Sequence, residues 1–148
     1  MFPITIMTDR TTLVSEHSVD NEIYNKTTFD WWDSTNKCVY GLHQIRDIRM
    51  KYIQRALKDK TIVAIADIGC GGGVTTEEIY KAYPSADVRG IDISAHSIQC
   101  AKKHSIYNIT YAVGSAYDTP LADASQDAVV MLDILEHLDD LPRAIREV

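Results

Sequence analysis

Cysteine is scarce in this sequence of 148 residues: Cys38, Cys70 and Cys100 are odd in number, lie far apart and form no Cys-x-x-Cys. Neither a disulfide framework nor a zinc site of paired cysteines is indicated, and a reducing, cytoplasmic compartment is expected. Basic residues are outnumbered, 15 Lys and Arg against 21 Asp and Glu, for a formal charge of -6. The summed field repels phosphate backbones and anionic membrane surfaces, and no local basic patch offsets it, so nucleic acid is not an expected partner. Long hydrophobic runs are missing. Residues 1–7 are apolar but have no basic leading segment and run directly into Thr8-Asp9-Arg10, so neither export nor a membrane span is expected. Low-complexity tracts are absent as well, which excludes fibre and argues against disorder.

What remains is 45% hydrophobic and 24% charged residues, enough for one modest domain with a packed core. Three segments are expected: a flexible stretch over 1–17, a helical cap over 18–60 and an α/β unit over 61–148. In the cap, the apolar pattern suggests a loose helical lead over 19–33, ending in Trp31-Trp32-Asp33. A helix follows from about 42 to 57, with Leu42, Ile45, Ile48, Tyr52, Ile53 and Leu57 on one face. Residues 61–68 then form a near-continuous β-branched run, the signature of a strand buried on both faces.

A Gly-rich turn leads into a helix over 75–83, with Thr75 and Glu78 spaced as a capping box. Residues 87–93 read as a second strand. Ser94 caps a helix to about His104, with Ile93 and Ile98 spaced as a hydrophobic staple. Strands over 108–113 and 127–132 follow, and 141–148 begins another helix. This alternation implies βαβ units and a parallel sheet with helices on both faces.

In such sheets the ligand sits beyond the carboxyl ends of the strands, and the first of these ends carries Asp67-Ile68-Gly69-Cys70-Gly71-Gly72-Gly73. The dinucleotide pattern Gly-x-Gly-x-x-Gly fails here, because the sixth position from Gly69 is Val74. A phosphate-cradling Walker loop is excluded too, since no Lys follows the glycines. The spacing is Asp-x-Gly-x-Gly-x-Gly, through Asp67, Gly69, Gly71 and Gly73. A carboxylate so close to the turn repels a pyrophosphate and suits an ammonium or sulfonium group. Asp92, at the end of the second strand, is placed to accept hydrogen bonds from two ribose hydroxyls. A ligand with a ribose, a cationic amino acid and no phosphate is S-adenosylmethionine.

The ordered set of this turn, Gly90-Ile91-Asp92-Ile93-Ser94, Asp127-Ala128-Val129-Val130 and Leu135-Glu136-His137-Leu138 resembles the successive motifs of class I S-adenosylmethionine-dependent methyltransferases. Trp31-Trp32-Asp33 and residues 42–53 resemble the lead helices of the ubiquinone-biosynthesis O-methyltransferases, which methylate hydroxyls of polyprenylated phenols and quinols. The resemblance implies a Rossmann-like sheet in the order 3-2-1-4-5-7-6, of which 3-2-1-4 are present and 5-7-6 missing. The natural gene is then expected to continue past Val148, or the product to be inactive alone.

The resemblance also implies that Arg49, Gly69, Asp92 and Leu132 contact the cofactor, with Ile93 beside Asp92; the alternative for Arg49 is a solvated helix residue. A guanidinium suits the methionine carboxylate. The family's Asn-Pro ahead of that Arg is here Asp47-Ile48. Gly114-Ser115-Ala116 replaces the common Gly-Asp-Ala, which leaves backbone groups of Ser115 and Ala116, or Asp118, to serve the adenine amine.

Methyl transfer to a phenol requires loss of the hydroxyl proton, to a general base or with the help of a divalent ion. Asp133, Glu136 and His137 fall at i, i+3 and i+4, on one face if helical. A matching acid-x-x-Glu-His set is described as metal-binding in some quinone-family members, which makes Mg2+ or a similar ion a candidate. Alternatively His137 is the base, or the set is helix surface and pocket packing. Trp31 and Trp32 either close the cofactor pocket, contact an apolar substrate, or simply pack. His17, His43, His96 and His104 have no partners at ligand spacing. The expected partner is a small molecule, with peripheral membrane contact if that molecule is polyprenylated; composition does not speak to oligomeric state.

Overall fold

A computed structural model describes residues 30–148. Helix α1 spans Tyr40–Ala56, followed by β1 Ala64–Ile68, α2 Val74–Ala82, β2 Asp87–Asp92, α3 Ala95–His104, β3 Thr110–Val113, β4 Ala128–Val130, a 3-10 turn Leu135–His137 and α4 Leu141–Glu147. The four strands form one parallel sheet in the order β3-β2-β1-β4. This is the parallel α/β arrangement that the alternating periods predict, in the Rossmann-like order that the resemblance implies. No helix of the described residues is long and apolar enough to cross a membrane.

β1 is the central strand and is buried on both faces, as its continuous apolar run requires. Ile65 turns into a core with Met50, Ile53, Ile79, Val88 and Val130. Ala66 and Ile68 turn the other way, toward Ile91, Ala116 and Ala144. Fully burying an Ile such as Ile65 stabilises by roughly 1.5–3 kcal/mol, and the period-2 alternation places one such layer on each side. Its start is fixed by Asp127, whose Oδ2 accepts from the backbone N–H groups of Val63 at 2.7 Å and Ala64 at 2.9 Å.

Three local expectations are corrected. The apolar stripe proposed for the first helix faces the core only in part: Ile53 is buried and Leu57 packs beside it, but Ile48 is 54% and Tyr52 68% exposed, and Met50, outside the stripe, is the second buried residue. Only one edge of α1 touches the sheet layer. Thr75 and Glu78 do not form a capping box, because α2 begins at Val74 behind Gly73, a left-handed N-cap at φ 82° with no side-chain cap. Thr75 is thereby free to face a cavity, and Glu78 pairs with Lys81 at 2.8 Å. Ile93 and Ile98 do not meet as a staple: Ile93 lines that cavity, while Ile98 packs with Cys70, Ala101 and Tyr111.

The Ser94 cap is present, its side chain accepting from Ser97 N at 3.1 Å. Of the loose lead expected over 19–33, residues 19–29 lie outside the described residues, as does the flexible stretch 1–17 with His17. The described end, from Asp30, is a series of turns, with Asp33 N donating to Asp30 O at 3.2 Å and Val39 N to Asn36 O at 3.1 Å.

Candidate functional site

A cavity of about 300 Å³ lies at the carboxyl ends of β1, β2 and β4, a volume at the lower end of small-molecule sites. Its floor is the glycine turn. Gly69, Gly71 and Gly73 all have positive φ, at 77°, 53° and 82°, so the alternate spacing of the glycines is the spacing of left-handed residues. Gly69 N and Cys70 N both donate to Ile91 O, at 2.7 and 3.1 Å, which ties the turn to β2.

Asp92 joins the turn to the start of α3. One carboxylate oxygen accepts from Gly71 N and the other from Ser94 N, both at 2.8 Å. Each oxygen keeps a further lone pair, and the residue lines the cavity. Burial raises its carboxyl above the usual range, against the lowering pull of those two N–H groups. Asp67 sits deeper, 2% exposed, with Oδ2 accepting from Thr76 Oγ1 at 2.7 Å. Burial lifts it to about 6; the Thr76 hydrogen bond opposes the rise and the charge of Asp92 adds to it. Cys70, within the turn, has its thiol pushed up by burial and by both carboxylates, which makes it a small core side chain and not a nucleophile.

The roof comes from residues ahead of the sheet. The Trp31 ring lies against the turn so closely that a Cβ on Gly71 would stand 2.8 Å from its Cη2, and one on Gly72 would collide with its Cβ. Trp32 Nε1 donates to Gly72 O at 2.9 Å, and His43 Nε2 donates to Trp31 O at 3.0 Å. Val39 and Leu42 complete the apolar cover. Trp31 therefore lines the cavity, and Trp32 fixes the segment to the glycine turn.

Most of the residues singled out in the sequence meet here. Arg49, Asp67, Gly69, Gly71, Asp92 and Ile93 line the cavity, as do Ser115, Ala116, Leu132, Asp133 and His137. Gly73 does not: a Cβ there would meet Tyr111 Oη at 2.6 Å and Ala101 Cβ at 3.0 Å, so this glycine serves helix–strand packing. Glu136 is exposed and outside the lining, as is Asp118, whose N–H closes a turn onto Ser115 O at 3.2 Å. Arg49 is an inward-facing residue of α1, and its guanidinium hydrogen-bonds Asp133 Oδ2.

The helical face expected for Asp133, Glu136 and His137 is absent. Asp133 has φ 51° and precedes a single 3-10 turn, Leu135–His137. Its carboxylate is taken up by Arg49, and the donor atoms of the three side chains do not converge to within 4.8 Å. As arranged, they do not fit a divalent ion. Residues the sequence did not single out, Val39, Leu42, Thr75 and Ile134, also line the cavity; Thr75 was masked by its apparent capping role.

Residues 66–148 match the family model described as methyltransferase domain. A ubiquinone biosynthesis O-methyltransferase of Alkalilimnicola ehrlichii is 33% identical over 146 residues, covering 94% of this chain and 58% of that protein. The chain thus spans little more than half the length of that curated relative. Among solved structures, the plantazolicin methyltransferase BpumL in complex with SAH and a pentazolic desmethyl analogue aligns with a TM-score of 0.59 at 25% identity, over 77% of this chain and 44% of that one. Magnesium protoporphyrin IX methyltransferase (ChlM) from Synechocystis PCC 6803 with bound SAH aligns with a TM-score of 0.65 at 22% identity, over 86% and 64%. With its sheet order, its acidic glycine turn and a family match over more than half its length, this chain belongs to the methyltransferase domain family.

Proposed function

We propose that the chain binds S-adenosylmethionine in the cavity above the glycine turn and serves methyl transfer to a hydroxyl of a small phenol or quinol. The observation that carries the reading is Asp92, whose two oxygens are each oriented by a backbone N–H, at 2.8 Å, while the carboxylate still faces the cavity. A carboxylate held in this way accepts from two vicinal hydroxyls and repels a phosphate. The relative named as a ubiquinone biosynthesis O-methyltransferase supports the acceptor class.

The residues present fit the cofactor. Of the residues that line the cavity, Asp92 would take the ribose hydroxyls, the backbone of Ser115 and Ala116 would serve the adenine, and Arg49 and Asp67 would hold the charged amino-acid end. When bound, S-adenosylmethionine supplies an electrophilic methyl group on a sulfonium. Trp31, Val39 and Leu42 keep water from that region, and Leu132 and Ile134 close the side nearest β4. Positioning and exclusion of water supply much of the rate in an in-line transfer. His137, half-buried at the cavity edge, takes the proton of the acceptor hydroxyl.

Calorimetry with S-adenosylmethionine and S-adenosylhomocysteine tests binding, with at least a tenfold loss of affinity expected for Asp92→Ala. Methyl transfer to a panel of catechols and prenylated phenols tests the acceptor, with His137→Ala expected to lower kcat more than affinity. Absence of affinity for either nucleoside overturns the reading.

A further inference from the structure

Beside α3, among residues that do not line the cavity, three side chains of different metal-ligand type meet. Among the described residues, Asp30, Cys100 and His104 are the group whose donor atoms all lie within 4.8 Å of one another. Asp30 Oδ1 stands 3.4 Å from His104 Nε2 and 3.8 Å from Cys100 Sγ. Cys100 and His104 are four residues apart on α3 and therefore share a face. Asp30 arrives from 70 residues earlier in the chain.

Two of the three separations match a tetrahedral ion's coordination edges, and the third lies within 4.8 Å. With zinc–sulfur near 2.3 Å and zinc–nitrogen or zinc–oxygen near 2.0–2.1 Å, an O···S edge is about 3.6 Å and an O···N edge about 3.3 Å. The observed 3.8 and 3.4 Å differ from these by no more than about a quarter of an ångström. The imidazole is already held in plane: Trp32 stacks on it with ring centroids 5.6 Å apart and 14° between planes, while Trp32 Nε1 is anchored on Gly72 O. Supporting contacts of this kind orient a ligand before the ion arrives. All three side chains are partly exposed, which leaves an entry path and a fourth position for water.

We propose that Asp30, Cys100 and His104 form a three-ligand site for zinc(II) or a similar borderline-soft divalent ion. Thiolate and imidazole donors select such an ion over magnesium, which requires an octahedron of oxygens. On binding, the Cys100 sulfur forms a bond to the ion and its proton leaves to solvent, with no change in oxidation state. The ion then clasps the segment that carries Trp31 and Trp32 to α3.

The test uses the whole 148-residue chain carrying Cys38→Ser, because Cys38 is exposed and Cys70 is buried. Chelator-treated protein titrated with cobalt(II) is expected to bind one equivalent, with a thiolate-to-cobalt charge-transfer band that zinc(II) abolishes and magnesium(II) does not. Cys100→Ser is expected to lose the band, and His104→Gln and Asp30→Asn to weaken zinc affinity at least tenfold. Far-ultraviolet circular dichroism confirms that each variant is folded, and the three positions give independent readings if one is not. No stoichiometric band, a band that survives Cys100→Ser, or undiminished affinity in His104→Gln overturns the site.

Discussion

A carboxylate with 2% of its surface exposed and one hydroxyl hydrogen bond at 2.7 Å resists ionisation, and Asp67 is such a residue. Its value in the fold is about 6 against an ordinary 3.8. Between those values the native chain holds more protons than the unfolded one, so this group's contribution falls as pH rises through the window, and the cost is fully present above about 6. Asp67→Asn keeps an acceptor for Thr76 and removes the charge. The variant is expected to be more stable than the parent at pH 8, by about 1–3 kcal/mol, with the gain shrinking toward pH 4. It is also expected to lose affinity for the cationic S-adenosylmethionine more than for neutral-sulfur S-adenosylhomocysteine. Thermal melts at the two pH values and calorimetry measure both, and a lower Tm for the variant at pH 8 contradicts the account.

Between elements, the Arg49–Asp133 pair joins α1 to the segment leaving β4 across 84 residues of sequence. Asp133 is 44% exposed, so solvent screens the pair. A double-mutant cycle with Arg49→Ala and Asp133→Ala, read by urea unfolding, is expected to give a coupling of about 1 kcal/mol; additive losses would show that the two act separately. The same pair marks a limit of legibility. Strand runs such as 61–68 and the left-handed glycines were readable because each depends on its own few residues. The side chain that neutralises Asp133 was not, because it lies on another element. The buried edge of α1 was legible only in part: Ile53 was placed on it correctly, Ile48 and Tyr52 have the right spacing but are exposed, and Met50 takes their place against the sheet. The reading of His104 as having no partner at ligand spacing is corrected by Cys100, four residues earlier on α3, and by Asp30, which only the fold brings to them.

For the molecule as a whole, the sheet supplies a rigid floor and the segment ahead of it supplies the cover. Trp31, Val39, Leu42 and Arg49 form the roof, although they precede β1 in sequence. Asp92 and the turn after β3 form one wall, and Leu132, Asp133 and Ile134 the opposite one. Every part of the cavity is therefore a long-range assembly, and sequence-local rules reach only the turn at its centre.

The position of Trp31 against the glycine turn has a consequence for synthesis on the ribosome. Among the described residues the cover emerges first, the floor next, and the wall formed by Leu132, Asp133 and Ile134 after them. A nascent chain that has reached residue 127 already contains Trp31, Gly71 and Asp92, but not the partner of Arg49 or the side wall. Such a chain is expected to show no measurable uptake of S-adenosylhomocysteine, while the 148-residue chain does. A ribosome-arrested series probed by nucleoside-dependent protease protection would locate the step, which is expected only after Ile134 has left the exit tunnel.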